Sequence, residues 1–290
     1  MKVSKWLSLN TSSLSGKTVA ISGSTGGLGR ELCAHFASLG ASLVLLDRNM
    51  KKSELLANEL KAKFGDISIS HIEVDMEDIS AVNAAAERLL TLPIDYLVLN
   101  AGAYSIPRHK CDTGYDNVFQ INFISPYYLA RTLLPHLRER GGKVVAVGSI
   151  AHRYSTTDKD DIDFSTRKKA SLVYGNAKRY LMLSLPALSE NNKDISIVHP
   201  GITFTGITAH YPKLIFAIIK HPMKIIFMKP KKASLSILDG LFVDTASGEW
   251  IGPRLFDVWG TPKRKKLRGY STEELERIQA TADKIYMSLL

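Results

Sequence analysis

Cysteine is scarce in this chain, whose 290 residues include only Cys33 and Cys111. Two thiols do not make a disulfide framework, so reduced cysteines in a cytoplasmic protein are expected. The chain also lacks an uninterrupted apolar run near the ~20 residues that a membrane-spanning helix needs. Residues 1–16 are polar and lack the apolar core of a signal peptide. Zinc-ligand spacings and aromatic-interleaved RNA motifs are missing, so we expect no metal site and no nucleic-acid partner.

Acidic residues are outnumbered by basic ones, 28 against 38, which gives a formal net charge of +10. The excess is concentrated in segments 213–232 and 263–268. An uneven basic charge of this kind favours an anionic partner or surface. Hydrophobic residues at 45% and charged residues at 23% are ordinary for a globular protein. The length fits one large α/β domain, and we expect a single domain over 1–290.

Short apolar runs alternate with helical patterns from residue 17 onward. The first run, 17–22, leads through glycines into a helical stretch that ends at Gly40. Further strands are expected at 42–46, 67–74, 95–99, 143–148, 194–198 and 254–259. This order predicts an α/β fold with a doubly wound parallel sheet of about seven strands and helices on both faces.

The glycines after the first strand predict a phosphate-binding loop. Gly23, Gly27 and Gly29 stand between a strand and a helix, where bare backbone can approach a pyrophosphate and the helix start attracts negative charge. Asp47 ends the second strand, and an acid there can accept a hydrogen bond from a ribose 2′-hydroxyl. A solvated carboxylate at a strand end is the plainer alternative for Asp47. The sequence therefore predicts nucleotide binding.

Tyr174 and Lys178 are spaced i and i+4, which places both side chains on one face of a helix. A phenol has a pKa near ~10. We expect the ammonium one turn away to lower that pKa, so that the pair can exchange a proton with a substrate oxygen. The spacing alone is weak evidence, because surface Tyr and Lys pairs are common. Ser149 follows the fifth strand, at the sheet edge where open α/β folds bind ligands.

Taken together, these motifs resemble the short-chain dehydrogenase/reductase family. The matching motifs, in the family's order, are Gly23-x3-Gly27-x-Gly29, Asp75, Asn100-Ala101-Gly102, Asn122, Ser149, Tyr174-x3-Lys178 and Pro200-Gly201-x3-Thr205. The segment between Ser149 and Tyr174 contains Ala151-His152 and Asp161-Ile-Asp-Phe164. The retinol dehydrogenase-type branch of the family carries a similar stretch, so the chain resembles that branch. The resemblance covers 17–205 and implies a Rossmann-type fold.

The resemblance also implies a role for each catalytic residue. Tyr174 would be the general acid/base, and Lys178 would lower its pKa and hold the nicotinamide ribose. Ser149 would orient the reacting oxygen. Asn122 would hold a helix distortion and a water that links Lys178 to solvent.

By the same resemblance, a nicotinamide cofactor would contact Gly23, Thr25, Gly27, Leu28, Gly29, Asp47, Arg48, Asp75, Met76, Asn100, Ala101, Gly102, Tyr174, Lys178, Pro200, Gly201 and Thr205. Asp47 favours NAD, because a carboxylate repels a 2′-phosphate. Arg48 leaves NADP open, because a guanidinium pairs well with phosphate.

The expected function is hydride transfer between nicotinamide and an alcohol or carbonyl compound, lipophilic and of steroid or retinoid size. The alternatives are a carbon–carbon double-bond reductase and a non-catalytic NAD(P)-binding regulator, for which a complete catalytic set is unnecessary. We expect 17–205 to form the core, 206–232 a substrate lid and 233–290 the C-terminal part. Apolar and lysine residues in 213–232 also suggest peripheral membrane contact of a cytoplasmic protein. A homo-oligomer is implied by the resemblance alone.

Overall fold

The computed structural model describes residues 1–190, 193–203 and 227–290. Thr205 and residues 206–226 of the expected lid lie outside this part, as does most of the segment 213–232. The described residues form an eight-stranded sheet with the order β3-β2-β1-β4-β5-β6-β7-β8. The strands are β1 Thr18–Ser22, β2 Ser42–Asp47, β3 Ile69–Glu73, β4 Tyr96–Leu99, β5 Lys143–Val147, β6 Ile195–Val198, β7 Glu249–Leu255 and β8 Trp259–Lys266.

Helices cover both faces of the sheet. They are α1 Val3–Asn10, α2 Gly27–Ser38, α3 Met50–Phe64, α4 Ile79–Leu90, α5 Asn117–Phe119, α6 Ser125–Glu139, α7 Ala170–Ser184, α8 Pro230–Ala233, α9 Leu235–Phe242 and α10 Thr272–Met287. One apolar core packs α4, α6, α7 and α10 against the sheet, and the other packs α1, α2, α3 and α9. Within the described ranges, no helix combines the length and the apolar character needed to cross a membrane.

Strands β1 to β7 are paired in parallel, as the alternating pattern predicted. The strand order reverses at β1, which pairs with β2 on one side and with β4 on the other. Crevices at the carboxyl ends of such strands are where open α/β sheets bind ligands. The Rossmann-type doubly wound fold is confirmed, and its topology places the glycine loop and the segment after β4 at one crevice.

The predicted seventh strand at 254–259 is wrong. The chain turns there, between β7 and an antiparallel eighth strand. Phe256 and Asp257 have φ angles of 52° and 59°, which no extended strand can contain. The apolar residues of this stretch therefore belong to two strand ends and the turn that joins them. The expected polar leader also differs, because 1–16 includes α1, whose Trp6 is buried in the core.

Candidate active site

The glycine loop is shaped by close backbone contacts. Gly23 has a φ of +66°, a left-handed conformation that favours glycine. A Cβ on Gly29 would lie 2.3 Å from the Gly23 carbonyl oxygen, so no larger residue fits there. Gly26 is the N-cap of α2, and no side chain caps that helix start. The first amides of α2 are therefore available to an anionic group.

A cavity of about 970 Å³ opens over this loop at the carboxyl edge of the sheet. The predicted cofactor residues that line it are Gly23, Thr25, Gly27, Leu28, Gly29, Asp47, Arg48, Asp75, Met76, Asn100, Ala101 and Gly102. Pro200 and Gly201 lie farther along, just after β6, and Gly201 has a φ of +84°. The structure thus brings twelve separate positions of the sequence into one cavity.

Asp47 is buried, with 3% of its surface exposed, and its carboxylate is already engaged. Ser24 Oγ and Ser53 Oγ donate to Oδ2, the latter at 2.9 Å. Thr25 donates to Oδ1 through its amide at 3.2 Å and its hydroxyl at 3.3 Å. Asp47 therefore fastens the glycine loop to β2 and α3. The sequence pattern missed this role, because the glycine-loop partners Ser24 and Thr25 lie 23 and 22 positions from Asp47 along the chain.

Two cations stand beside Asp47 at the same end of the cavity. The Arg48 side chain is 71% exposed, and its Nη1 lies 3.8 Å from Asp75 Oδ2. Lys52 also lines the cavity, although the sequence motifs did not single it out. Its position in the first turn of the helix after Asp47 was the available signal.

Asn100 ties the end of β4 to the glycine loop. Its Nδ2 donates to the carbonyl oxygens of Ser22 at 3.1 Å and Gly23 at 3.0 Å. The Ser22 hydroxyl accepts from the amides of Asn100 at 3.1 Å and Ala101 at 3.0 Å. These four hydrogen bonds hold the end of β4 and the start of the glycine loop together at the cavity.

Asn122 lies in a single turn of π-helix, Gln120–Ile124, where the sequence resemblance implied a distortion. Its Nδ2 donates to the carbonyl oxygens of Ala103 and Val118, both at 2.8 Å. Its Oδ1 accepts from the Ala103 amide at 3.3 Å. A Cβ on Gly102 would lie 2.9 Å from this oxygen. The π-turn is therefore locked to the segment after β4, and such turns often mark functional sites.

Tyr174 and Lys178 share one face of α7, as their spacing predicted. Lys178 Nζ lies 5.8 Å from the centre of the Tyr174 ring and donates to the Val147 carbonyl oxygen at 2.8 Å. The lysine is 2% exposed, whereas the tyrosine is half-buried. A Cβ on Gly102 would lie 3.7 Å from Nζ, so the amine lies behind this cavity residue, and neither Tyr174 nor Lys178 is among the residues that line the cavity.

The pKa values of Tyr174 and Lys178 are set mainly by burial. Burial raises the pKa of Tyr174 to about 12, and its hydrogen bond with Ser149 offsets only part of that rise. Burial also lowers the pKa of Lys178 to about 7. The expected lowering of the Tyr174 pKa by Lys178 does not appear in this arrangement, where desolvation is the largest influence on the phenol.

Ser149 lies at the end of β5 and caps a short 3₁₀ turn, Ile150–Tyr154. Its Oγ accepts from the Ala151 amide at 3.2 Å. His152 Nδ1 lies 2.7 Å from the Ser149 carbonyl oxygen. Ser149 is thus held on both sides next to Tyr174.

The 3₁₀ turn packs on a buried aromatic cluster, which consists of His152 from the turn itself together with His199 and Trp250. The His199 ring stacks on Trp250 at 5.4 Å between centres, and the His152 ring meets Trp250 edge-on at 5.3 Å. Within the described residues, His152 Nε2, His199 Nδ1 and Trp250 Nε1 have no hydrogen-bond partner. Sequence reasoning did not connect these residues, which lie on different strands and loops.

Arg179 joins α7 to the C-terminal helix α10. Its Nε and Nη2 donate to the two carboxylate oxygens of Glu274, both at 2.6 Å. Its Nη1 donates to the His152 carbonyl oxygen at 3.0 Å. The buried guanidinium therefore connects α7, α10 and the segment after Ser149. A pair 95 positions apart left no local signal in the sequence.

Comparisons with known proteins find similarity to dehydrogenases. The sequence profile described as short chain dehydrogenase matches residues 17–159. Retinol dehydrogenase 12 from Mus musculus is 28% identical over 200 residues, which span 67% of this chain and 63% of that protein. The match thus covers less than two thirds of that relative's length.

Two solved structures share the fold. A crystal structure of an uncharacterised protein from Mycobacterium Paratuberculosis has a TM-score of 0.72 at 21% identity, covering 97% of this chain and 96% of that one. L-Sorbose reductase from Gluconobacter frateurii, solved with NADPH and L-sorbose, has a TM-score of 0.60 at 22% identity, covering 81% and 97%. At these identities the structures support the fold alone. The profile match and the sequence relative go further, because they show that the chain is similar to short-chain dehydrogenases and, among them, to a retinol dehydrogenase.

Proposed function

We propose that this protein is an NAD(P)-dependent oxidoreductase that interconverts a carbonyl compound and an alcohol. The observation that carries the proposal is that Asn122, Lys178 and Tyr174 lie directly behind residues that line the cavity. These lining residues are Ala103, Gly102 and Tyr104, in the same order, and Ser149 is hydrogen-bonded to Tyr174. A protein that only bound the nucleotide would need the loop but not this set. No described contact favours the double-bond reductase.

The residues around the cavity fit a nicotinamide dinucleotide. Gly23 and Gly29 leave no room for a side chain where a pyrophosphate would meet the start of α2. The Lys178 amine, next to the cavity residue Gly102, suits the hydroxyls of a ribose. When bound, the cofactor supplies or accepts the hydride.

Tyr174 would handle the proton. With a pKa raised to about 12, the phenol keeps its proton at neutral pH, which is the form that protonates a carbonyl oxygen during reduction. Ser149, already hydrogen-bonded to Tyr174, would donate to the same oxygen and fix its position. Lys178, which is bonded to the Val147 carbonyl oxygen, and Asn122, in the π-turn, would keep the residues around Tyr174 in place.

We propose NADP(H) as the preferred cofactor, which reverses the preference inferred from the sequence. That inference required a free Asp47 carboxylate, yet each of its oxygens accepts two internal hydrogen bonds. Arg48 and Lys52 offer positive charge at the same end of the cavity. A 2′-phosphate would pair with these cations.

A lipophilic substrate remains our proposal for this site. Tyr104 packs edge-on against Tyr174, with ring centres 5.4 Å apart, and Ile106 and Pro107 line the cavity nearby. Such walls suit an apolar alcohol or carbonyl compound. The name of the retinol dehydrogenase relative points the same way. The apolar lid, the cytoplasmic location, the absence of nucleic-acid binding and the homo-oligomer stay predictions.

The test is a panel of aldehydes, ketones and alcohols with both cofactors, followed by the absorbance of the reduced nicotinamide. Tyr174→Phe should lower kcat by roughly a hundredfold or more, because it removes the proton donor. Cofactor affinity should stay within about twofold, because the binding surface is kept. The matched control is Tyr154→Phe, since Tyr154 is 66% exposed. A Tyr174→Phe protein with near-normal kcat on the best substrate would refute this function.

A further inference from the structure

The turn between β7 and β8 presents three large apolar side chains to solvent. Leu255 is 56% exposed, Phe256 90% and Trp259 38%. Leu255 and Trp259 are paired across the hairpin, so the three side chains lie together at one corner of the sheet. Single exposed apolar residues need no explanation, but a cluster of large ones marks an interaction surface.

The backbone of this turn is held in a conformation that favours exposure. Phe256 and Asp257 both have positive φ, and the Val258 amide donates to the Leu255 carbonyl oxygen at 3.0 Å. Hairpin turns of this kind ordinarily carry Asn, Asp or Gly. A phenylalanine here gains no packing in exchange for its strained backbone. Strained positions persist only where the surrounding structure over-determines them.

Asp257 supplies that support. Its carboxylate accepts from Lys265 Nζ at 2.6 Å and Arg153 Nη1 at 2.9 Å. His199 Nε2 lies 3.1 Å from its carbonyl oxygen. The turn is thus fixed to β8, to the segment after Ser149 and to the end of β6.

Positive charge extends along the same hairpin, from Lys263 near its middle to Lys266 opposite the start of β7. A recess of about 370 Å³ is lined by Arg153, Lys263, Arg264, Lys265, Lys266 and Arg268. Two of these cations pair with Asp257 and one with Glu249. Lys263, Lys266 and Arg268 are exposed and have no acidic partner among the described residues. Residues 191–192 and 204–226, outside the described part, contain no aspartate or glutamate. They therefore supply no acidic partner for these three cations.

We propose that residues 254–268, here called the hairpin corner, dock peripherally on an anionic lipid bilayer. The apolar side chains at its turn would enter the boundary between headgroups and acyl chains. Its free cations would meet the phosphates and carboxylates of the lipid headgroups. Apolar burial combined with attraction to anionic lipid is what holds peripheral proteins at membranes. This surface is formed by a different part of the sequence from 213–232, and the proposal does not depend on the proposed enzymatic activity.

Two other partners fit the corner less well. Nucleic acid would use the cations but would leave Leu255 and Phe256 unused. A second copy paired along the edge of β8 would bring lysines and arginines face to face, and like charges across strands are destabilising.

The experiment is co-sedimentation of the full chain with vesicles of phosphatidylcholine alone or mixed with phosphatidylserine. We expect binding to the mixed vesicles at low salt and loss of most of it near 1 M salt, where charges are screened beyond about 3 Å. The double variant Leu255→Ser/Phe256→Asn should weaken partitioning about tenfold or more, because it removes buried apolar area. Asn suits the positive φ at position 256, so the turn is kept.

The charge variant Lys263→Glu/Lys266→Glu should lose binding to a similar extent. Its matched control is Lys5→Glu/Lys61→Glu, which makes the same change in net charge at exposed positions away from the hairpin corner and should bind within about twofold of wild type. The salt dependence of the unaltered protein tests the proposal even if a variant fails to fold. Absence of vesicle binding at low salt, equal binding by all variants, displacement from vesicles by duplex DNA, or a dimer that dissociates in the Phe256 variant would each overturn it.

Discussion

Asp47 shows how neighbours decide the role of a residue. From sequence it is an acid at the end of a strand, in the place where ribose hydroxyls are recognised. In the structure, Ser24, Thr25 and Ser53 take up its oxygens, so the carboxylate holds the glycine loop in place. Under the proposed NADP(H) preference, the exposed Arg48 next to it would recognise the adenosine end.

Arg48→Ala tests this division of roles. It should weaken NADPH binding by roughly tenfold to a hundredfold, because a charged hydrogen bond contributes ~1.5–3 kcal/mol. NADH binding should change by no more than about threefold, because NADH has no 2′-phosphate to lose a partner. Titration calorimetry with each cofactor measures the split, with the exposed Arg88→Ala as control. An equal loss for NADH and NADPH would count against the proposed cofactor preference.

At the scale of elements, helix α7, which carries Tyr174 and Lys178, is held from two sides. Phe123 of the π-turn packs against Tyr180 of α7, with ring centres 5.2 Å apart, and the Arg179–Glu274 pair ties α7 to α10. Although burial raises the pKa of Glu274, the hydrogen bonds and charge of Arg179 bring it below its usual value. The C-terminal helix therefore helps to position Ser149 through the His152 carbonyl.

Glu274→Gln should destabilise the protein by about 3 kcal/mol, because it leaves a buried guanidinium without its counter-charge. We also expect kcat to fall while the affinity for the cofactor is kept, since the loosened segment carries Ser149 rather than the glycine loop. Urea unfolding and steady-state kinetics measure the two effects. Glu276→Gln, an exposed change on the same helix, is the control. Unchanged stability would show that the pair adds nothing to the fold.

The sequence predicted the elements that carry regular patterns and missed those that depend on distant partners. Gly23, Tyr174 and Lys178 follow from spacing within one loop or one helix, so their placement could be predicted. The Arg179–Glu274 pair could not, because nothing near either residue signals the other. The seventh strand was misplaced because the residues flanking Phe256 have a strand-like composition on both sides of the turn.

At the scale of the whole molecule, stability should depend on pH through two buried histidines. His152 and His199 are 1% and 3% exposed against Trp250. Burial lowers the pKa of each to about 4. The unfolded chain would take up these protons near pH ~6.5. Between those values the unfolded state binds more protons than the folded one, so stability falls as the pH is lowered.

We expect each histidine to contribute a loss of up to ~1.4 kcal/mol per pH unit between about pH 6.5 and 4. Urea unfolding at several pH values measures the slope. His199→Phe should reduce this slope by the contribution of one histidine, even if the altered packing changes the free energy of unfolding at every pH. His109→Gln, at an exposed position, is the control. An identical slope in wild type and His199→Phe would contradict the assignment.

Because the three tryptophans differ in exposure, their intrinsic fluorescence can report on two regions of the protein. Trp6 and Trp250 are buried at 3% and 0% exposure, one in the core beneath α1 and one between the two imidazoles below Ser149. Trp259 is partly open to water at the hairpin. A water-soluble quencher such as iodide therefore reaches one of the three indoles. Quenchable emission reports on the hairpin corner and protected emission on the interior, so the two regions can be followed separately in one unlabelled sample.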